Sequence, residues 1–122
     1  MADASRIIDV KAGSIVAAAG TVVAEVQGAE LALIQMVATV LVGHNATFEV
    51  SLDSTDGANG EWRELAVTRS NVADTTVEAT TGALAATPVY FWRAKVKGVK
   101  YIRVRAAAHT SGTAAYRIVL VA

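Results

Sequence analysis

No cysteine occurs in the 122 residues, so neither a disulfide framework nor a thiolate metal site can be built. That absence fits a reducing compartment, although many secreted proteins lack cysteine too. The opening MADASRIIDV carries an acid at Asp3 and no uninterrupted apolar stretch, unlike a secretory signal. No apolar run reaches the roughly 18 residues of a spanning helix. The longest, Leu31 to Val42, stops short and is interrupted by Gln35. The sequence therefore predicts a soluble protein. Glycine-rich phosphate loops and nucleophile elbows are also missing.

Charge is scarce: 18% of residues are charged and 53% hydrophobic, against about 25% and 45–50% in ordinary globular domains. Much of the excess is alanine and valine. A domain of this size has limited interior, so part of its apolar surface is expected to meet another chain. Acids are absent after Glu78. Up to that point eleven acids stand with four bases (Arg6, Lys11, Arg63, Arg69), net −7; beyond it seven bases stand without an acid, net +7. Interleaved as neighbouring strands, the two halves would form cross-strand ion pairs; kept apart, they would leave opposed poles for docking. Interleaving is the simpler arrangement, because sandwiches routinely pair strands distant in sequence.

What is present is strand chemistry. Val89 to Ala108 holds two runs rich in β-branched and aromatic residues, broken at Lys97-Gly98, and reads as a hairpin. In its second arm Lys100, Ile102, Val104 and Ala106 fall on one face, Val99, Tyr101, Arg103 and Arg105 on the other. Earlier in the chain, Ser5 to Val10 reads as a strand, Lys11 to Ser14 as a turn and Thr21 to Gln27 as a strand broken by Gly28. Ile15 to Gly20 is ambiguous. Leu31 to Val42 has the length and composition of a buried helix, but Ile34, Val37, Thr39, Val40 and Val42 are β-branched and no N-cap pattern precedes them. A long strand is the better reading. Apolar on both faces, it would need cover on both, which makes Leu31, Leu33, Ile34, Met36 and Val37 candidates for a subunit interface.

Ala46 to Leu52 alternates as a strand, Asp53 to Gly60 is a polar loop, and Glu61 to Val67 is the return strand, with a bulge near Trp62. Thr68 to Thr75 reads as polar connection and Thr76 to Thr80 as a short strand. Thr81 to Thr87 connects, with Pro88 at a strand start. His109 to Gly112 turns into a last strand, Thr113 to Ala122. About eight strands with turn signals between them predict one all-β domain over residues 1–122, an antiparallel sandwich or barrel. No internal repeat or linker is evident.

Candidate chemistry is thin. Asp53, Asp56, Asn59 and Glu61 are hard oxygen ligands, but their spacing fails the calcium-loop template, and a self-contained polar loop is the better reading. His44 and His109 fall in predicted turns with no nucleophile or carboxylate motif beside either, and read as surface histidines. No catalytic, cofactor or metal residue is assigned, and no enzyme activity is expected. The aromatics with Arg93, Arg103 and Arg105 could hold single-stranded nucleic acid, although core packing accounts for most of them. Phe91 and Trp92 are adjacent and so point to opposite faces; one must look outward, where it can anchor an interface. Trp92 is the residue chosen for that role.

The last 75 or so residues resemble small virion proteins of tailed bacteriophages. The likeness lies in Phe91-Trp92-Arg93-Ala94, Gly98, Tyr101-Ile102-Arg103-Val104-Arg105, Thr110-Ser111-Gly112-Thr113 and the strand from Tyr116 to Val121, preceded by FEVSLDSTDGANGEW. The resemblance implies a jelly-roll-like β-sandwich acting as a capsid decoration, or cement, protein, or as another head or tail component. It brings no catalytic residues. On this reading the chain is made in the host cytoplasm and sits on the capsid surface as a dimer or trimer. It bridges subunits of the major capsid protein and has no nucleic-acid or membrane partner. Arg93, Arg103 and Arg105 would meet acidic capsid surface. The alternative is a tail or fibre component, such as a carbohydrate-binding module.

Overall fold

The computed structural model describes residues 6–71, 74–84 and 89–122. Within them ten strands form two antiparallel sheets: β1 (Ile7–Ile15), β2 (Thr21–Glu25), β3 (Leu31–Val42), β4 (Asn45–Ser51), β5 (Arg63–Glu64), β6 (Val67–Asn71), β7 (Asp74–Glu78), β8 (Tyr90–Lys95), β9 (Tyr101–Ala108) and β10 (Ser111–Val121). The six-stranded sheet runs β1-β10-β3-β8-β6-β7 and the four-stranded sheet β2-β9-β4-β5. Setting aside the β6–β7 hairpin leaves orders 1-10-3-8 and 2-9-4-5, the doubled Greek key of a jelly roll. The all-β expectation is thus met.

Leu31 to Val42 is a strand over its whole predicted length. Hydrogen bonding to β10 on one side and β8 on the other makes it a central strand, which suits its β-branched content. One of its faces points inward, where Ala32, Ile34 and Met36 are buried; the other points outward, where Leu33 and Val37 are each 42% exposed. The two-sided cover that its composition called for is therefore absent within this chain. Near its end a bulge sets Val40 and Leu41 against the single residue Gly112, which carries Leu41 into the core. A Cβ at Gly112 would collide with the Val40 carbonyl, so glycine is required there at φ +87°.

The hairpin expected over Val89 to Ala108 does not form. Its arms are β8 in one sheet and β9 in the other, and the segment between them passes from sheet to sheet with Lys97, Gly98 and Lys100 exposed. Each arm has a fully apolar face (Tyr90, Trp92 and Ala94; Ile102, Val104 and Ala106), and these faces meet across the core instead of lying side by side. The crossing is made by a turn in which the Val99 amide donates to the Val96 carbonyl. Gly98 sits in it at φ +85° with open space around its Cβ position. The β2–β3 connection is built alike, with Ala29 donating to Val26. The two corners clasp each other: the Val26 amide donates to the Lys100 carbonyl and the Val96 amide to the Glu30 carbonyl. Ala24-Glu25-Val26-Gln27-Gly28 and Ala94-Lys95-Val96-Lys97-Gly98 are thus a short internal echo that the sequence reading missed.

Other boundaries also move. The turn expected at Lys11 to Ser14 is part of β1, paired residue by residue with β10. The return strand Glu61 to Val67 is split: Arg63 and Glu64 pair with β4 in one sheet, while Val67 starts β6 in the other. Of the polar stretch expected as connection, Thr68 to Asn71 and Asp74 to Thr75 are strand, because β6 pairs with β7 and β8; Val72 and Ala73 lie outside the described residues. The expected strand at Thr76 to Thr80 is observed as β7, two residues earlier. Ser5 and Pro88 lie outside the described residues.

Candidate functional site

The core is centred on Trp92, 1% exposed, with Phe48 at 5.0 Å, Tyr90 at 5.8 Å and Tyr116 at 6.4 Å between ring centroids. The indole Nε1 donates to Glu78 Oε2 at 2.7 Å. Glu78 also takes a two-pronged ion pair from Arg69, whose Nε lies 2.7 Å from Oε2 and Nη2 2.9 Å from Oε1. The Arg69 guanidinium in turn sits 5.2 Å from the Tyr90 ring centre. This chain of contacts ties the β6–β7 hairpin to the core. Trp92 is therefore an internal anchor and not the outward aromatic expected; Phe91, 47% exposed, takes the outward side.

The two histidines are not surface residues in separate turns. His44 is fully buried, and its Nδ1 lies 2.9 Å from His109 Nδ1 while its Nε2 lies 2.8 Å from the Tyr116 hydroxyl. His109 Nε2 is 2.9 Å from the Gly112 carbonyl. A carbonyl only accepts, so His109 carries its proton on Nε2; with both rings neutral, His44 donates from Nδ1 and accepts from Tyr116 at Nε2. Every polar atom in the cluster then has a partner, and no buried side-chain polar atom among the described residues lacks one. Burial first, and repulsion from His109 second, hold the His44 imidazole down to about 4. Burial likewise pushes the Tyr116 hydroxyl well above its ordinary range. The cluster is satisfied, apolar-walled and closed to solvent at His44, so its chemistry is structural.

The loop from Asp53 to Gly60 satisfies itself. Asp53 Oδ1 accepts from the Glu61 amide and the Ser51 hydroxyl, Asp56 Oδ1 from the Ala58 and Asn59 amides, and Asn59 Oδ1 from Ser54 and Thr55. These amides hold both carboxyls below the usual carboxylate range. Among the described residues no group of three or more His, Asp or Glu side chains is placed to hold a metal ion.

The outward surfaces of the two sheets differ in kind. On the four-stranded sheet, Arg103 pairs with Glu49 at 2.8 Å on the neighbouring strand and lies 3.9 Å from the Trp62 ring centre. Arg105 is half-buried between Thr21 and Thr47. Here acids and bases interleave. The six-stranded sheet instead carries a row across all six strands, Val10–Val119–Leu33–Arg93–Thr68–Val77, spanning roughly 24 Å at the usual strand spacing. Beside it runs Ala12–Arg117–Gln35–Phe91, then Ser14–Ala115–Val37. A hollow of about 380 Å³ opens among Leu31, Leu33, Phe91, Arg93 and Ser70.

Of the interface residues expected from sequence, Leu31, Leu33, Val37 and Arg93 are brought together on this face. Ile34, Met36 and Trp92 are spent inside the sandwich and have no surface to offer, because strand alternation turns them to the core. Arg103 and Arg105 lie on the opposite sheet. Sequence reasoning missed Val10, Val119 and Arg117. Alternation along the last strand carries a signal for Arg117, but only strand register shows that these three are neighbours of Leu33 and Gln35.

These features define a jelly-roll sandwich with a sealed, polar-bridged core and one open, apolar and cationic sheet face. No protein-family model matches the chain, and no curated protein matches its sequence. Among solved structures, the crystal structure of the SPBc2 prophage-derived protein YomS is similar over 96% of this chain and 98% of that one, with a TM-score of 0.67 and 15% identity. At that identity the likeness speaks for the fold.

Proposed function

We propose that the chain is a structural component of a phage virion and, within that class, a capsid decoration protein. It would act as a homo-oligomer on the capsid surface, bridging subunits of the major capsid protein. The observation that carries this reading is the end-to-end likeness to a prophage-derived protein, which leaves almost none of either chain unaccounted for. The exposed sheet face, formed by residues whose side chains have no interior left to fill, supports a role in binding. In a decoration protein the mechanism is burial of such surface. At about 25 cal/mol per Å² of apolar area, many modest contacts repeated over a shell add to a large stabilisation.

Mass spectrometry of purified particles tests the proposal. The protein should be found in virions and mapped to the head by cryo-electron microscopy, and particles lacking it should break at lower temperature. Its absence from particles ends the virion reading. Presence in the tail or fibre alone, or unchanged heat resistance without it, ends the decoration reading.

A further inference from the structure

We propose that the outward face of the six-stranded sheet docks a protein partner whose contact surface combines apolar side chains with carboxylates. Val10, Val119, Leu33, Val37 and Phe91 supply the apolar contact. Arg93, Lys95 and Arg117 supply the charge. The inference rests on the virion reading, in which that partner is the shell protein, and adds which face turns toward the shell and what that face must meet.

Three observations point the same way. First, the apolar residues cluster: the row through Val10, Val119 and Leu33 crosses three adjacent strands, Phe91 flanks it one register step away, and Val37 lies one step further, beyond Gln35. Scattered exposed apolar residues are ordinary on a soluble protein, whereas a contiguous patch is a contact surface. Second, the charge on this face has one sign. Arg93, Lys95 and Arg117 are exposed, none makes an ion pair among the described residues, and no described outward strand position on this face carries a carboxylate. Glu78, on β7, turns inward to Arg69 and Trp92. Third, on the opposite sheet Arg103 is already paired with Glu49, and its guanidinium is covered by Trp62.

The single sign of charge also decides the occupant. Two copies packed through this face would bring three cations against three with no acid between them. An acidic surface pairs each cation and leaves the apolar row to be desolvated. Polynucleotide would satisfy the cations but leave the valine and leucine row uncovered.

The test uses decoration-free capsids of the phage whose genome encodes the chain, with co-sedimentation of the full-length protein. Leu33→Asp and the double variant Arg93→Glu/Arg117→Glu should each weaken binding at least tenfold. Affinity of the unaltered chain should fall as salt rises, and the charge-reversed form should lose that dependence. Arg105→Glu, on the other sheet, should bind within about twofold of the unaltered protein. If the unaltered chain binds and the outer-face variants bind equally well, the docking face is elsewhere and the inference falls while the decoration reading stands. If the unaltered chain does not bind capsids, both fall. Light scattering after size exclusion closes the remaining case. An oligomer of the unaltered chain that Leu33→Asp converts to monomer makes this face a contact between copies and overturns the inference. Should Leu33→Asp fail to fold, the exposed Arg93 and Arg117 substitutions carry the test, since both leave the core untouched.

Discussion

The His44 imidazole is the residue on which solution conditions act most directly. Its proton affinity in the fold is lowered to about 4, whereas in the unfolded chain it is ordinary. The unfolded chain therefore binds more protons between about pH 6.5 and 4, and stability falls as pH is lowered through that window. The full contribution is present above about pH 6.5, and a loss on the order of 3 kcal/mol is expected by about pH 4. Urea unfolding at pH 7, 5.5 and 4 measures it, and Tyr116→Phe should lower stability by about 1–2 kcal/mol at every pH by leaving His44 Nε2 without its donor. Glu78 carries a comparable share at the other end of the core. Glu78→Ala should cost about 3 kcal/mol in urea unfolding, because it strands both the Arg69 guanidinium and the Trp92 N–H. Neither cluster was legible in the sequence. His44 and His109 stand 65 positions apart and each sits among turn residues, so only the pairing of β3 with β10 and the Gly112 bulge explain their meeting.

At the scale of elements, existence and type were readable while partnership was not. Leu31 to Val42 was legible as a strand because β-branched residues outweighed its helix-length apolar run. Alternation placed Ile102, Val104 and Ala106 on one side and Arg103 and Arg105 on the other, as found. Lys97-Gly98 was legible as a turn but not as a crossing between sheets. A glycine at positive φ serves both, and what decides is that each flanking strand has one face to bury against the other. The two structural glycines respond differently to change. Gly98→Ala meets only backbone strain and should cost about 1 kcal/mol, as its Cβ would enter open space. Gly112→Ala drives a methyl into the Val40 carbonyl and should cost several times more. Thermal unfolding of the two variants side by side checks the ordering.

For the whole molecule, the segregation of charge along the chain resolves into two surfaces. One sheet pairs Glu49 with Arg103 across neighbouring strands; on the other, Arg93, Lys95 and Arg117 have no ion pair among the described residues. Much of the excess apolar composition divides between a closed core and one outward face, while Val16 and Leu52 are exposed in connections outside both. Because Trp92, Phe48 and Tyr116 are covered by this chain alone, a single copy is expected to stay folded. Below the concentration at which copies associate, its melting temperature should move by less than about 2 °C over a hundredfold dilution, whereas a fold completed only by a second copy would melt progressively earlier.

The first and last strands lie side by side, and the Ala122 amide donates to the Arg6 carbonyl at 2.8 Å. Anything grafted onto residue 6 or residue 122 would therefore emerge from one spot at the rim of the sandwich. A short tether between those two residues would bridge them without crossing either sheet, and a peptide cargo attached at one or the other would be presented from the same place.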